Sequence, residues 1–187
     1  MSNIALFDMD GTLVDYHNTI IRDMHSLASP DEKYVYSAAW DDNIPEYIKR
    51  RLSLIKNSDN WWYNLPRFQL GWDILEMAQD IGFDIHILTK GPSYNSSAWA
   101  QKVQYCKDNL SKDVKITITE DKSMMYGKVL VDDYPAYMED WLRWRPRGLG
   151  IMPRHDYNEG YTHQNVILYD GKNKDMIRDS LVKAFNR

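Results

Sequence analysis

Apolar residues in this chain fall into short runs separated by longer amphipathic stretches. Residues 4–7, Ile-Ala-Leu-Phe, are continuously apolar, as expected of a strand covered on both faces in a parallel sheet. Residues 85–88 repeat that pattern, with His86 as the polar neighbour inside the run. Residues 114–119 alternate instead, Val-Lys-Ile-Thr-Ile-Thr, which predicts a strand near a sheet edge. Runs at 129–131, 149–152 and 165–169 extend the set to five or six strands, and the last is followed by the turn signal Asp170-Gly171. Between the strands the apolar spacing lengthens to that of helices. Residues 72–80 carry Ile74, Leu75, Met77 and Ala78 and stop near Gly82. Residues 96–110 carry Ala98, Trp99, Val103 and Cys106, and 174–185 form an amphipathic stretch ending on Phe185. Strands alternating with helices predict an α/β fold built on a parallel sheet.

One interval breaks the rhythm. The first strand ends near Asp8 and the second begins near Asp84, too long a gap for one crossover helix. Residues 16–65 are therefore expected to form a small helical insertion, with helices over 20–27 and 44–55. Its return leg carries Trp61-Trp62-Tyr63. Residues 1–15 and 66–187 then make the core domain, and 16–65 a cap.

Composition narrows the function classes. The chain has 187 residues, 43% of them hydrophobic, enough for a core that needs neither disulfides nor structural metal. A formal charge of -4 argues against an electrostatic partner such as nucleic acid or a membrane surface. The lone cysteine, Cys106, fits a reducing compartment, and no run approaches the length of a membrane span. Met1 leads directly into a strand-like run rather than a signal peptide, so the expected setting is the cytoplasm. Seven Trp and thirteen Tyr suit a pocket that stacks a flat ligand, although many must serve the core.

The chemistry gathers after the strands. In open parallel sheets ligands bind beyond the carboxyl ends. There strand one delivers Asp8 and Asp10, strand two Thr89 and Lys90, and strand four Asp132 and Asp133; the loop after strand three brings Glu120, Asp121 and Lys122. Taken singly, each reads blandly: Asp-x-Asp-Gly as a turn, Lys122 as a solvated lysine. Jointly, carboxylates converging with a hydroxyl and a lysine suit a hard cation and a phosphate.

Asp8-Met9-Asp10-Gly11-Thr12-Leu13-Val14 resembles the first motif of the haloacid dehalogenase (HAD) superfamily. Thr89 resembles its second motif, Lys122 its third and Asp132-Asp133 its fourth. The resemblance implies a Rossmann-like doubly wound parallel sheet (HAD-like) with a small helical cap inserted after strand one. It also implies a Mg²⁺-dependent phosphomonoesterase that forms an aspartyl-phosphate. Asp8 would be the nucleophile and Asp10 the general acid and base. Asp8, Asp10, Asp133 and Asp132 would serve the metal, with Asp133 as the direct ligand of the pair and Asp132 acting through water or orienting Lys122. Gly11, Thr89, Lys90 and Lys122 would hold the phosphate.

Three local patterns resemble the 5'(3')-deoxyribonucleotidases in particular. They are Thr119-Glu120-Asp121-Lys122-Ser123 ahead of the acidic pair, Ser97-Ala98-Trp99 with Lys102, and Trp61-Trp62-Tyr63 followed by Leu65 and Gly71. This narrower likeness implies (deoxy)ribonucleoside monophosphates as substrates, Trp61, Trp62, Tyr63 and Trp40 as the base pocket, and a homodimer. Two positions depart from the pattern: Lys90-Gly91-Pro92 follows Thr89 where Ser then Pro is usual, and Tyr134 stands where an Arg often follows the acidic pair. Two alternatives remain open on the sequence: a HAD phosphatase or phosphomutase acting on another small phosphomonoester such as a sugar phosphate, and a catalytically silent binding module. The histidines show no metal spacing, and His155 reads as a loop residue at the rim.

Overall fold

The computed structural model describes residues 3–37 and 44–187. Six strands form one parallel sheet: β1 (Ile4–Phe7), β2 (Asp84–Thr89), β3 (Lys115–Ile118), β4 (Val129–Val131), β5 (Leu149–Pro153) and β6 (Val166–Tyr169). Their spatial order is β3-β2-β1-β4-β5-β6. The chain runs outward from β1 through β2 to β3, then returns to lay β4 on the other flank of β1. The order thus reverses between β1 and β4, opening a crevice beyond their carboxyl ends. The continuous apolar runs explain the placement: β1 and β4 are central, with Ala5, Leu6 and Phe7 and all of β4 buried, whereas the alternating β3 occupies an edge.

Among the described residues six helices accompany the sheet: α1 (Tyr16–Ser26), α2 (Glu46–Lys56), α3 (Gln69–Ile81), α4 (Ser96–Asn109), α5 (Pro135–Arg143) and α6 (Lys174–Phe185). Helix α3 closes on Gly82 at φ 100°, a left-handed position that favours glycine. Helices α1 and α2 belong to the long β1–β2 connection. The legs of that connection run side by side, with Asp15 N donating to Pro66 O at 2.8 Å and Phe68 N to Leu13 O at 3.0 Å. Ile20, Met24, Ile48, Trp61 and Trp62 of this segment join the same apolar cluster as Phe7 of β1, Met9 of the following turn and Ile74 of α3.

The turn after β1 is unusually tight. The N–H groups of Thr12, Leu13 and Val14 all point at the Met9 carbonyl, at 3.1, 2.8 and 2.8 Å. Helix α3 braces this turn from outside: Trp72 Nε1 donates to Leu13 O at 2.9 Å. A Cβ on Gly71 would sit 1.7 Å from Thr12 O, so only glycine permits that approach. No helix among the described residues is long and apolar enough to cross a membrane.

Candidate active site

The crevice beyond β1 and β4 gathers the strand-end residues. Lys122, on a short 3₁₀ turn (Lys122–Met124), places Nζ 2.8 Å from Asp8 Oδ1 and 2.6 Å from Asp132 Oδ2. Asp8, Lys122, Asp132 and Asp133 are all buried. The other Asp132 oxygen accepts the Tyr134 N–H at 3.0 Å, so both its oxygens are engaged. Asp133 is cradled from several elements. Its Oδ1 accepts the Thr12 hydroxyl at 3.2 Å, and its Oδ2 lies 3.3 Å from His17 Nε2 and accepts the Tyr157 hydroxyl. Gly11 has φ 73°, and a Cβ there would lie 2.4 Å from Asp133 Oδ2. Close approach and backbone geometry both demand glycine at that position.

His155 supports the same loop. Its Nε2–H donates to the Gly11 carbonyl at 2.6 Å, and its ring is stacked against Phe68 and Tyr157. Burial pushes the His155 imidazole below its ordinary value, favouring the neutral ring. His17, His155 and Tyr157 are contributors that the sequence did not reveal. Each lies far along the chain from the group it contacts, His17 and Tyr157 from Asp133 and His155 from Gly11, and no spacing rule joins them.

Charge in the crevice is unevenly balanced. Burial pushes the Asp8 carboxyl upward; Lys122 opposes this, while the like charges of Asp133 and Asp10 add to it. Burial works against the Lys122 ammonium, but Asp132 and Asp8 more than reverse it and hold Lys122 above its usual range. Asp133 sits below the usual carboxylate range even though burial raises it, because His17 and Tyr157 stabilise the anion. Asp8, Asp132 and Asp133 each offer an oxygen within 4.8 Å of the others. Asp10 Oδ1 is buried without a hydrogen-bond partner. An all-oxygen donor set with surplus negative charge fits a hard divalent cation such as Mg²⁺.

Asp10 is reached by Lys102, a residue of α4 whose role the sequence does not disclose. Lys102 Nζ lies 2.6 Å from Asp10 Oδ2, 3.2 Å from Thr89 Oγ1 and 2.8 Å from the Lys90 carbonyl, with only 1% of the residue exposed. A signal was present: Lys102 falls on the buried stripe of α4 with Ala98 and Cys106, four residues from each. A cation on an apolar stripe needs a buried partner.

A cavity of about 440 Å³ opens over these groups, lined by Asp8, Asp10, Lys122 and Asp133 below and by Lys56 and Trp62 from the inserted segment. Lys90 is exposed at its rim, with Nζ 5.7 Å from the Tyr137 ring centre. The four aromatics expected to face a base separate. Trp62 lines the cavity but is only 4% exposed, stacked on Tyr16 and covered by Lys102 at 4.9 Å. Trp61 turns away and donates Nε1 to Asp23 at 2.8 Å, and Tyr63 points its hydroxyl at Asp108 at 3.0 Å. Neither belongs to the cavity wall, because consecutive residues in a turn diverge in direction and cannot share one face. Trp40 lies outside the described residues. A second cleft of about 460 Å³ opens at the amino end of the sheet beside Lys128, Trp144 and Arg147, away from the clustered carboxylates.

No model of a protein family matches this sequence, and no curated protein matches it. Solved structures do resemble it in three dimensions. A haloacid dehalogenase-like hydrolase from Xanthomonas campestris superposes with a TM-score of 0.57 at 14% identity, covering 100% of this chain and 99% of the other. A HAD hydrolase of family IA, variant 3, from Entamoeba histolytica gives 0.54 at 12% identity, with both chains fully covered. A candidate beta-phosphoglucomutase from Bacteroides vulgatus gives 0.53 at 15%, covering 100% of this chain and 91% of the other. The 5'(3')-deoxyribonucleotidase likeness finds no counterpart among these neighbours. At such identities the likeness concerns architecture alone: this chain has the haloacid dehalogenase-like fold.

Proposed function

We propose that the chain is a Mg²⁺-dependent phosphomonoesterase that works through an aspartyl-phosphate. The observation that carries this reading is the Asp8 carboxylate at the cavity floor, 2.8 Å from a buried lysine and beside Asp133. Asp8 attacks phosphorus and displaces the leaving oxygen. Asp10, which also lines the cavity, donates a proton to that oxygen and then takes one from the water that cleaves the acyl phosphate. Lys122 and Thr89 bind the non-bridging oxygens and stabilise the charge that builds on them. The expected main-chain contribution at Gly11 is not free, because its N–H donates to Val14 O at 2.9 Å and the next three N–H groups to Met9 O; the phosphate cradle rests on these side chains, with Lys90 at the rim.

Asp8, Asp133 and the main-chain carbonyl of Asp10 would hold Mg²⁺, which offsets the repulsion between the anionic nucleophile and the phosphate. Asp132 suits a supporting role, since its oxygens are engaged by Lys122 and the Tyr134 N–H. Lys102 keeps Asp10 oriented. Residues 16–65 act as a cap that excludes water while the bond breaks.

For the substrate, the sequence likeness supports (deoxy)ribonucleoside monophosphates, and the cavity is of a size that accepts small metabolites. A sugar phosphate is favoured by a separate observation: Trp62, the described member of the anticipated base pocket that lines the cavity, has its ring covered by Tyr16 and Lys102. A phosphate-release panel over nucleoside monophosphates and sugar phosphates, with and without Mg²⁺, decides between them. Indifference to the base excludes the nucleotide reading, and absence of metal-dependent release from every compound leaves only a binding module. Cytoplasmic location and homodimerisation stay part of this proposal on sequence grounds.

A further inference from the structure

Lys56 is the last residue of α2, and its backbone is firmly placed over the crevice. Its carbonyl accepts Trp62 Nε1 at 2.9 Å and Asn95 Nδ2 at 3.1 Å. Asn95 also donates to Asn57 Oδ1 at 2.6 Å, while its own Oδ1 caps α4 by accepting the Ala98 N–H at 3.0 Å. The side chain then runs into the cavity, where its ammonium meets the face of Tyr16 at 5.4 Å. The other deep lysines differ: Lys102 and Lys122 each have a carboxylate within 2.6 to 2.8 Å. Among the described residues no carboxylate lies within ion-pair distance of Lys56.

A half-buried ammonium facing only a ring is under-compensated. Burial pushes Lys56 below its usual range, and the Asp10 charge restores part of the loss. Asp10 is also the group assigned to the leaving oxygen. Lys122, which holds Asp8 at 2.8 Å, rises from the end of the sheet, whereas Lys56 enters the same cavity from the inserted segment opposite and so faces the part of a substrate that projects away from phosphorus.

We propose that Lys56 binds a second anionic group on the leaving half of the substrate, selecting phosphomonoesters with a carboxylate or a further phosphate near the esterified oxygen. This rests on the phosphomonoesterase reading and narrows it. A simple nucleoside monophosphate carries no such group and would leave Lys56 facing a neutral base. A carboxylate or phosphate oxygen supplies the missing charged hydrogen bond, which favours binding by about 10- to 100-fold.

The test measures binding by calorimetry in the presence of Mg²⁺, on a chain carrying Asp8→Asn to prevent turnover. The probes are ethyl phosphate, 2-phosphoglycolate and ethane-1,2-diol bisphosphate, which differ in having no second anion, a carboxylate or a phosphate. At least one doubly anionic probe is expected to bind about tenfold or more tighter than ethyl phosphate, and which one does so identifies the second group. Lys56→Met in the same background is expected to bring that ratio close to one, and Lys56→Arg to preserve most of it. Equal affinities for all three probes, no binding of any, or a ratio untouched by Lys56→Met overturns the proposal. Phosphate release by the unmodified chain from the same compounds judges the underlying activity separately. Its absence alongside a Lys56-dependent binding ratio refutes the esterase and keeps the anion site.

Discussion

Gly11→Ala tests the geometry of the crevice more directly than removal of any charged group. An alanine at φ 73° costs about 1–2 kcal/mol for the left-handed backbone alone. Its Cβ would also lie 2.4 Å from Asp133 Oδ2 and 2.7 Å from Asp133 Cγ, so the carboxylate must retreat by roughly an ångström to reach ordinary contact. Asp133 cannot retreat freely, because Oδ2 is held by His17 and Tyr157 and Oδ1 by Thr12. Weakening one of these hydrogen bonds to a buried anion costs about 1.5–3 kcal/mol. The sum is about 2.5–5 kcal/mol of folding stability, equivalent to about 5–20 °C in melting temperature for a chain of this size. Urea titration followed by tryptophan fluorescence reads the stability, and calorimetric titration with Mg²⁺ reads the displaced carboxylate as weakened metal binding. Gly160→Ala is the control, since nothing lies within 4 Å of a Cβ there, and it is expected to stay within about 0.5 kcal/mol of the unmodified chain. A Gly11→Ala variant as stable as this control, with undiminished Mg²⁺ affinity, would refute the close approach of the β1 turn to Asp133.

Asp8→Asn is expected to lower metal-dependent phosphate release to background while the melting curve stays close to that of the unmodified chain; near-normal release removes Asp8 as the nucleophile. Lys102→Met leaves Asp10 without its cation, and the 27% exposure of the Asp10 side chain lets water soften the loss to about 1–3 kcal/mol. In steady-state kinetics its kcat is expected to fall about 100-fold with a smaller change in KM, and an unchanged kcat would show that Asp10 needs no such support. Cys106 is 2% exposed and burial pushes its thiol up to about 12, so the native chain is expected to resist a disulfide reagent and to react once unfolded in urea. Rapid reaction of the native thiol would contradict its position beneath Met9.

The architecture was largely legible because strand burial leaves a direct imprint. The unbroken apolar run at residues 4–7 could only be satisfied by cover on both faces, and the alternation at 114–119 by an edge. The carboxylates were legible for a related reason: a parallel sheet delivers every strand end to one side, so Asp8, Thr89 and Asp132 meet without knowledge of the turns. What the sequence concealed depends on side-chain direction. Trp61, Trp62 and Tyr63 are adjacent in the chain yet look toward Asp23, the cavity and Asp108. His17, His155 and Tyr157 each read as an ordinary loop or helix residue, and only the folded chain carries them to Asp133 and the Gly11 carbonyl. Lys102 marks the border between the two cases, since a charge on a buried stripe is visible in the sequence whereas its partner is not.

The side chain of Asn95 serves two masters: it starts α4, and it grips the end of α2 at Lys56 and Asn57. Gln101, nearly two turns further along α4, accepts the N–H of Trp62 at 3.0 Å and so adds a second point of attachment. These contacts therefore tie the inserted segment to the core at the edge of a cavity that is itself open to solvent. Any outward swing of that segment during release of a product must first break them. Turnover would then answer to the strength of an amide side chain remote from phosphorus. Exchange at Asn95 would retune the speed of the protein while leaving its chemistry untouched.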